Sequence, residues 1–221
     1  QMIDKRLTLI SIACAFLLGA CGSPEPETPA AVAPEPAAAP EPPPAPAFDL
    51  AASLASDARS AEDRARDAGR KPVEVLNLLG VKPGMDVIDL MAAGGWYSEV
   101  LSHAVGAEGS VTAQNTPLLL SFRDGAYGVA LDERIGDRLT NVTRQNSSWT
   151  ELAAMEAKYD VAMSALIFHD AYYLESPEAA AEMAAAVYSV LKPGGVFGVI
   201  DHVGNPDGDN NELHRIDKAL E

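Results

Sequence analysis

The stretch from Met85 to Val105 constrains this chain most, because its apolar pattern changes period across a turn of small residues. The apolar run Val87–Met91 holds one acid, Asp89, and breaks into Ala92-Ala93-Gly94-Gly95. Beyond the turn, Trp96, Val100, Leu101 and Val105 recur at helical spacing. The order is strand, small-residue turn, helix. Such a turn lets a ligand approach the backbone closely, and the helix behind it directs free N–H groups at that ligand. A nucleotide-type cofactor suits this floor. An ordinary strand-to-helix corner has the same composition, and the turn alone does not choose between the two.

The rest of the chain repeats the alternation. Ser60-Ala61-Glu62-Asp63 reads as a helix start, and the opposite charges around it, Asp63 with Arg66 and Arg70, read as a solvated face. Pro72–Leu79 is a helix with Gly80 as its stop. Strands follow at Ser110–Ala113, Asn141–Gln145, Tyr159–Phe168 and Val196–Ile200. Helices are expected at Pro117–Phe122, Thr150–Ala157, Pro177–Leu191 and Glu212–Leu220, and Arg123–Leu139 reads as a loop with a short helix. Five strands returned by helices predict an α/β fold with a doubly wound, mostly parallel sheet. In such sheets ligands bind beyond the carboxyl ends of the strands. Those ends carry Met91–Gly95, Gln114-Asn115, Asn146-Ser147, His169-Asp170 and Asp201-His202, so the chemistry-bearing residues share one edge.

The flanks divide the chain into regions. Residues 1–20 have a basic start, Lys5-Arg6, and an apolar run too short for a comfortable membrane span, which predicts a signal peptide. The run ends Leu18-Gly19-Ala20-Cys21, which resembles the lipobox of bacterial lipoproteins. That resemblance implies cleavage before Cys21, lipidation of its thiol, and a lipid-anchored, exported protein. Gly22 in place of an aspartate implies the outer membrane, facing the periplasm. Residues 22–47 hold ten of the 16 prolines and read as a polyproline-like tether. At about 3.1 Å per residue it reaches about 80 Å when extended. Residues 48–221 suit one domain, opened by a helical segment over 49–80. With 16 basic and 32 acidic residues, a net charge of −16 excludes a nucleic-acid partner of the usual kind.

From Pro72 to His202 the chain resembles the class I S-adenosylmethionine-dependent methyltransferases. The residues that carry the likeness are the Asp89 strand with its turn, YDVAMSALIFHD, and LKPGGVFGVIDH. More narrowly it is similar to a bacterial group of lipoprotein-like predicted methyltransferases, through DARSAEDRARDAGRKPVEVL, FHDAYY and VIDH followed by LHRID. The resemblance implies a Rossmann-like fold and methyl transfer from S-adenosylmethionine to a small molecule. It places Asp89, Met91, Ala93, Gly94 and Gly95 under the cofactor's methionine and ribose. It sets Gln114 or Asn115 at the ribose hydroxyls, Asn146 and Ser147 beside the adenine, and Ala165, Leu166 and the residues to His169 around the methyl group.

Three departures carry expectations of their own. Met91 and Ala93 stand where the related turn has glycines, and an amide stands where an acid takes the ribose, which predicts weaker cofactor binding. The family sheet closes with two further strands that do not follow Leu220, which predicts a truncated sheet. Methyl transfer needs a base only when the acceptor must lose a proton. His169 with Asp170 is the candidate catalytic pair, against the plainer reading of a histidine capping a strand. His169, His202, His214 and Asp170 are all ligand types, yet no HxxxH or HxH spacing unites them and no metal is expected. Two classes stay open at this point: an active methyltransferase, and a tethered non-catalytic domain with a degraded cofactor site.

Overall fold

The computed structural model describes residues 48–217. The expected signal peptide, Cys21 and the tether lie outside the described residues. Four short helices open the domain: α1 (Leu50–Ala55), α2 (Ala61–Ala65), α3 (Asp67–Arg70) and α4 (Pro72–Leu79). Ser60 caps α2, its hydroxyl accepting the Asp63 N–H at 3.0 Å. Pro72 fills the first turn of α4, and Gly80, at φ 71°, ends it.

The charge-rich run here is not the solvated face that the sequence predicts. Arg59 is 1 % exposed and grips Asp67 with two bonds of 2.7 and 2.8 Å, while Asp63 is buried against Arg134. Charges withdrawn from water in this way persist because each has a partner.

The sheet and its helices follow as β1 (Asp86–Leu90), α5 (Trp96–Val105), β2 (Ser110–Asn115), α6 (Pro117–Ser121), α7 (Ala126–Ile135), β3 (Val142–Asn146), α8 (Trp149–Ala153), β4 (Tyr159–Ala165), α9 (Phe168–Asp170), α10 (Pro177–Val190) and β5 (Leu191–Ile200). The strand order is β3-β2-β1-β4-β5, and every pairing is parallel. Helices cover both faces, as parallel strands require. Leu76, Val100, Leu101, Val111 and Met163 share one core layer. Ile88, Leu90, Trp149, Leu152, Met183 and Val187 share the other. The Lys192–Gly195 turn is an excursion inside β5, since Leu191 pairs with Tyr159 and Val196 with Val161.

Four elements differ from expectation. The Arg123–Leu139 segment holds a full helix, α7. The fourth strand stops at Ala165, because Leu166 takes a left-handed conformation, φ 60°, before α9. The helix expected from Thr150 begins at Trp149 and ends at Ala153, with a Ser148–Glu151 capping box. The described part of the expected terminal helix is a turn, closed by a parallel bridge between Val203 and Ile216.

Candidate cofactor and acceptor site

Strand order reverses between β1 and β4, and the carboxyl ends of those two strands open onto a cavity of about 410 Å³. This is the crevice where doubly wound sheets take ligands, and its size falls in the range of small-molecule sites. The Met91–Gly94 turn forms its floor, Ala165–Ile167 one wall, and Arg66, Arg70, Trp96 and Tyr97 another. The backbone N–H of Gly95 bonds Ala92 at 2.8 Å, and Gly95 at φ 76° starts α5. A side chain at Gly95 would bring its Cβ within 2.5 Å of Leu131 on α7, so this glycine is required by packing.

Met91 and Ala93 keep a glycine-like backbone, both at φ 49°. The left-handed region is costly for residues with a Cβ. Two amides hold it in place. Gln114 Oε1 accepts the Met91 N–H at 3.1 Å, and its Nε2 donates to the Ser147 carbonyl at 2.8 Å. Asn115 Oδ1 accepts the Ala93 N–H at 2.8 Å and its Nδ2 donates back to the Ala93 carbonyl at 3.2 Å. Both side chains are turned into the protein and fully buried, and neither lines the cavity. The expected exposure of Gln114 or Asn115 to a ribose is therefore not what these residues do. Each amide spends one acceptor and one donor inside the protein, Asn115 wholly on the turn and Gln114 on the turn and the Ser147 carbonyl.

Asp89 lies under the floor, 3 % exposed, with Oδ2 accepting the Ser98 hydroxyl at 2.6 Å. Burial pushes its carboxyl up to about 7, against the opposing pull of the Ser98 bonds and the Arg70 charge. Arg70 stands across the cavity, stacked on Trp96 at 4.7 Å and near Tyr97 at 5.7 Å. Its partial burial lowers its pKa, and the like charge of Arg66 adds to this. Arg134, at the back, bonds the Gly94 carbonyl at 2.8 Å, Asp63 at 2.7 Å and Glu99. Glu99 also takes Arg138. The ion pairs fasten α7 to α2 and α5, and the bond to the Gly94 carbonyl fastens it to the turn.

Of the sequence candidates, Asp89, Met91, Ala93, Gly94, Ala165 and Leu166 meet at the cavity. Gly95, Gln114 and Asn115 stand behind it. Asn146 and Ser147 stand apart from it, Asn146 accepting a bond from Arg144 at 3.0 Å and Ser147 buried with an unpartnered hydroxyl. Arg66, Arg70 and Arg134 were not legible, since each reaches the cavity from elsewhere in the chain.

His169 and Asp170 sit just past Ile167, on α9. His169 is 5 % exposed, and its Nδ1 lies 2.9 Å from both carboxylate oxygens of Asp201. Asp201 also accepts the His169 N–H at 3.0 Å and the His202 N–H at 2.7 Å. Burial alone would lower the pKa of His169, but the Asp201 bond and the charges of Asp201 and Asp170 raise it. The sequence pairs Asp201 with His202, whereas its carboxylate meets the ring of His169. His169 Nε2 faces Asp170 at 3.3 Å, and His214 reaches the same carboxylate at 3.7 Å.

No protein-family model matches this chain, and no curated protein matches it. Solved structures do. A SAM-dependent methyltransferase from Aquifex aeolicus aligns at a TM-score of 0.54 with 23 % identity, over 77 % of this chain and 82 % of that one. A putative sarcosine dimethylglycine methyltransferase from Galdieria sulphuraria aligns at 0.52 with 18 % identity, over 73 % and 60 %. At these identities the likeness is one of fold: a Rossmann-like methyltransferase fold with a five-stranded parallel sheet.

Proposed function

We propose that this protein transfers a methyl group from S-adenosylmethionine to a small-molecule acceptor. The observation that carries the reading is a pair of opposite charges on one cavity. Asp89 faces it from beneath the turn and Arg70 from the side wall. An α-amino acid brings an ammonium and a carboxylate, and a sulfonium adds further positive charge. Asp89, buried and half-ionised near neutrality, matches the cationic groups, and Arg70 matches the carboxylate. The methyltransferase fold of the neighbours supports the same choice of cofactor.

When bound, the cofactor supplies an activated methyl group. The protein's share is alignment, which in a displacement at carbon carries much of the rate. Ala165, Leu166 and Ile167 form one wall of the cavity, and the acceptor is assigned to that wall, which leads in the chain to His169 and Asp170. Trp96 and Tyr97 keep water from the amino-acid end. With Gln114 and Asn115 occupied by the turn, affinity rests on the amino-acid end rather than on ribose contacts.

Calorimetry of the 221-residue chain with S-adenosylmethionine and S-adenosylhomocysteine tests this. Binding that weakens in Arg70→Met is expected; absence of heat at high micromolar ligand would overturn the function. We place the enzyme on a lipid anchor at Cys21, outside the cytoplasm, on the strength of the sequence before that cysteine. Mass spectrometry of the mature N-terminus showing an unmodified Cys21 would refute the anchor.

A further inference from the structure

Ligand-type side chains from two strand ends converge beside the cavity. His169 and Asp170 come from α9, directly after β4, and His214 from the segment after β5. One donor atom from each lies within 4.8 Å of the other two. The tautomer of His169 that satisfies Asp201 carries its proton on Nδ1, the atom 2.9 Å from both Asp201 oxygens. Nε2 then presents a lone pair toward Asp170 Oδ1, 3.3 Å away, and His214 Nδ1 stands 3.7 Å from that same oxygen. Two imidazole nitrogens and one carboxylate oxygen thus lie within 4.8 Å of one another, close enough to share one cation.

We propose that His169, Asp170 and His214 bind one divalent transition-metal ion of the zinc type, with Asp201 orienting His169 from behind. A carboxylate bonded to the far nitrogen of a ligating histidine fixes its tautomer and ring plane, which is the arrangement Asp201 makes. Two imidazoles and one carboxylate suit zinc and its neighbours, whereas magnesium and calcium select oxygen donors.

The spacing fits once the ring of one ligand moves inward. Zinc bonds of about 2.0–2.2 Å at tetrahedral angles set two donors about 3.3–3.6 Å apart, so a pair at 4.8 Å must close by about 1.2–1.5 Å. His214 is the side chain free to do so, being 69 % exposed while His169 and Asp170 are held inside. Its backbone is not free. His214 sits at φ 49°, its N–H bonds the Asn211 carbonyl at 3.1 Å, and two residues on Ile216 is fully buried and bonds the His202 carbonyl at 3.0 Å. A non-glycine residue held in the left-handed region marks a position the surrounding structure over-determines. Here the over-determined position delivers an imidazole to the ends of β4 and β5.

An ion with three protein ligands keeps a position open for another molecule. On the methyl-transfer reading, the acceptor then carries an oxygen, nitrogen or sulfur able to ligate a metal. That second step rests on the proposed function; the metal site does not.

The test is zinc chloride titrated calorimetrically into the chelator-stripped, tag-free 221-residue chain, with cobalt(II) absorbance as an independent readout. One equivalent is expected to bind. His214→Ala, an exposed change, should weaken binding by ~10-fold or more, and Asp201→Asn by ~10–100-fold. His202→Ala, beside the cluster and outside it, should leave affinity unchanged. Absence of stoichiometric zinc, or wild-type affinity in His214→Ala, would overturn the proposal. S-adenosylmethionine titrated into the same stripped protein separates the two failures. Zinc bound without the cofactor sinks the function and spares the site, and the converse sinks the site alone.

Discussion

Asp89→Asn, followed across pH, isolates the buried carboxyl beneath the turn. The substitution keeps the shape of the side chain and leaves an oxygen for the Ser98 hydroxyl, which Asp89 accepts at 2.6 Å. Burial raises the Asp89 carboxyl from 3.8 to about 7. Between those values the folded protein holds a proton that the unfolded chain has released. Stability therefore falls as pH rises through the window, by about 1.36 kcal/mol per pH unit, and levels off above pH 7. Wild type should lose about 4 kcal/mol relative to Asp89→Asn between pH 4 and pH 8. The depressed carboxyls of Asp63, Asp86 and Asp201 act with the opposite sign, their contribution being lost as pH falls. They are common to both proteins and cancel in the difference. Urea denaturation of the two proteins at pH 4, 5, 6, 7 and 8 measures it, given unchanged m-values. A constant difference from pH 4 to pH 8 would refute the reasoning. Binding of a cationic ligand over Asp89 should also expel part of its proton near pH 7, so that calorimetric heats differ between buffers of different ionisation enthalpy.

Four further substitutions test how the floor of the cavity is held. Gly95→Ala combines a left-handed backbone with a 2.5 Å approach to Leu131 and should cost about 2–5 kcal/mol in urea unfolding, whereas Gly94→Ala, meeting Ala130 at 3.4 Å, should cost less than about 1 kcal/mol and weaken cofactor binding instead. Arg134→Met leaves Asp63 with the Ser60 hydroxyl and Arg66 at 3.7 Å, and the 1 % exposed Glu99 with Arg138 alone, a loss of about 3 kcal/mol measured the same way. Asn115→Asp removes the bond to the Ala93 carbonyl and sets a charge against it, so stability should fall by about 1–3 kcal/mol with no gain in calorimetric affinity for S-adenosylmethionine.

What the sequence made legible was local. Pro72, Gly80 and the apolar spacing between them define α4 without help from the rest of the chain, and the run into Ala92–Gly95 defines β1, the turn and α5. The same locality hid α7, where glycines at 125, 128 and 136 read as loop. Gly125 and Gly136 are its two ends, and Gly128 lies inside it, its carbonyl accepting a bond from the Arg144 guanidinium at 3.2 Å. The cationic wall was invisible for a related reason. Arg134 meets Asp63 across 71 residues, and no spacing rule reaches that far. Gln114 and Asn115 were placed at the correct strand end, yet which way a strand-end amide turns depends on the neighbouring strand. His169 was visible as a residue, but its partners Asp201 and His214 become neighbours only when β4 and β5 lie side by side.

The amide clamps on the turn have a kinetic consequence. Every N–H that Gln114 and Asn115 engage is engaged before a ligand arrives, so no segment of the floor has to order during association. Encounter should then proceed in one phase, with differences between ligands appearing in how long each stays.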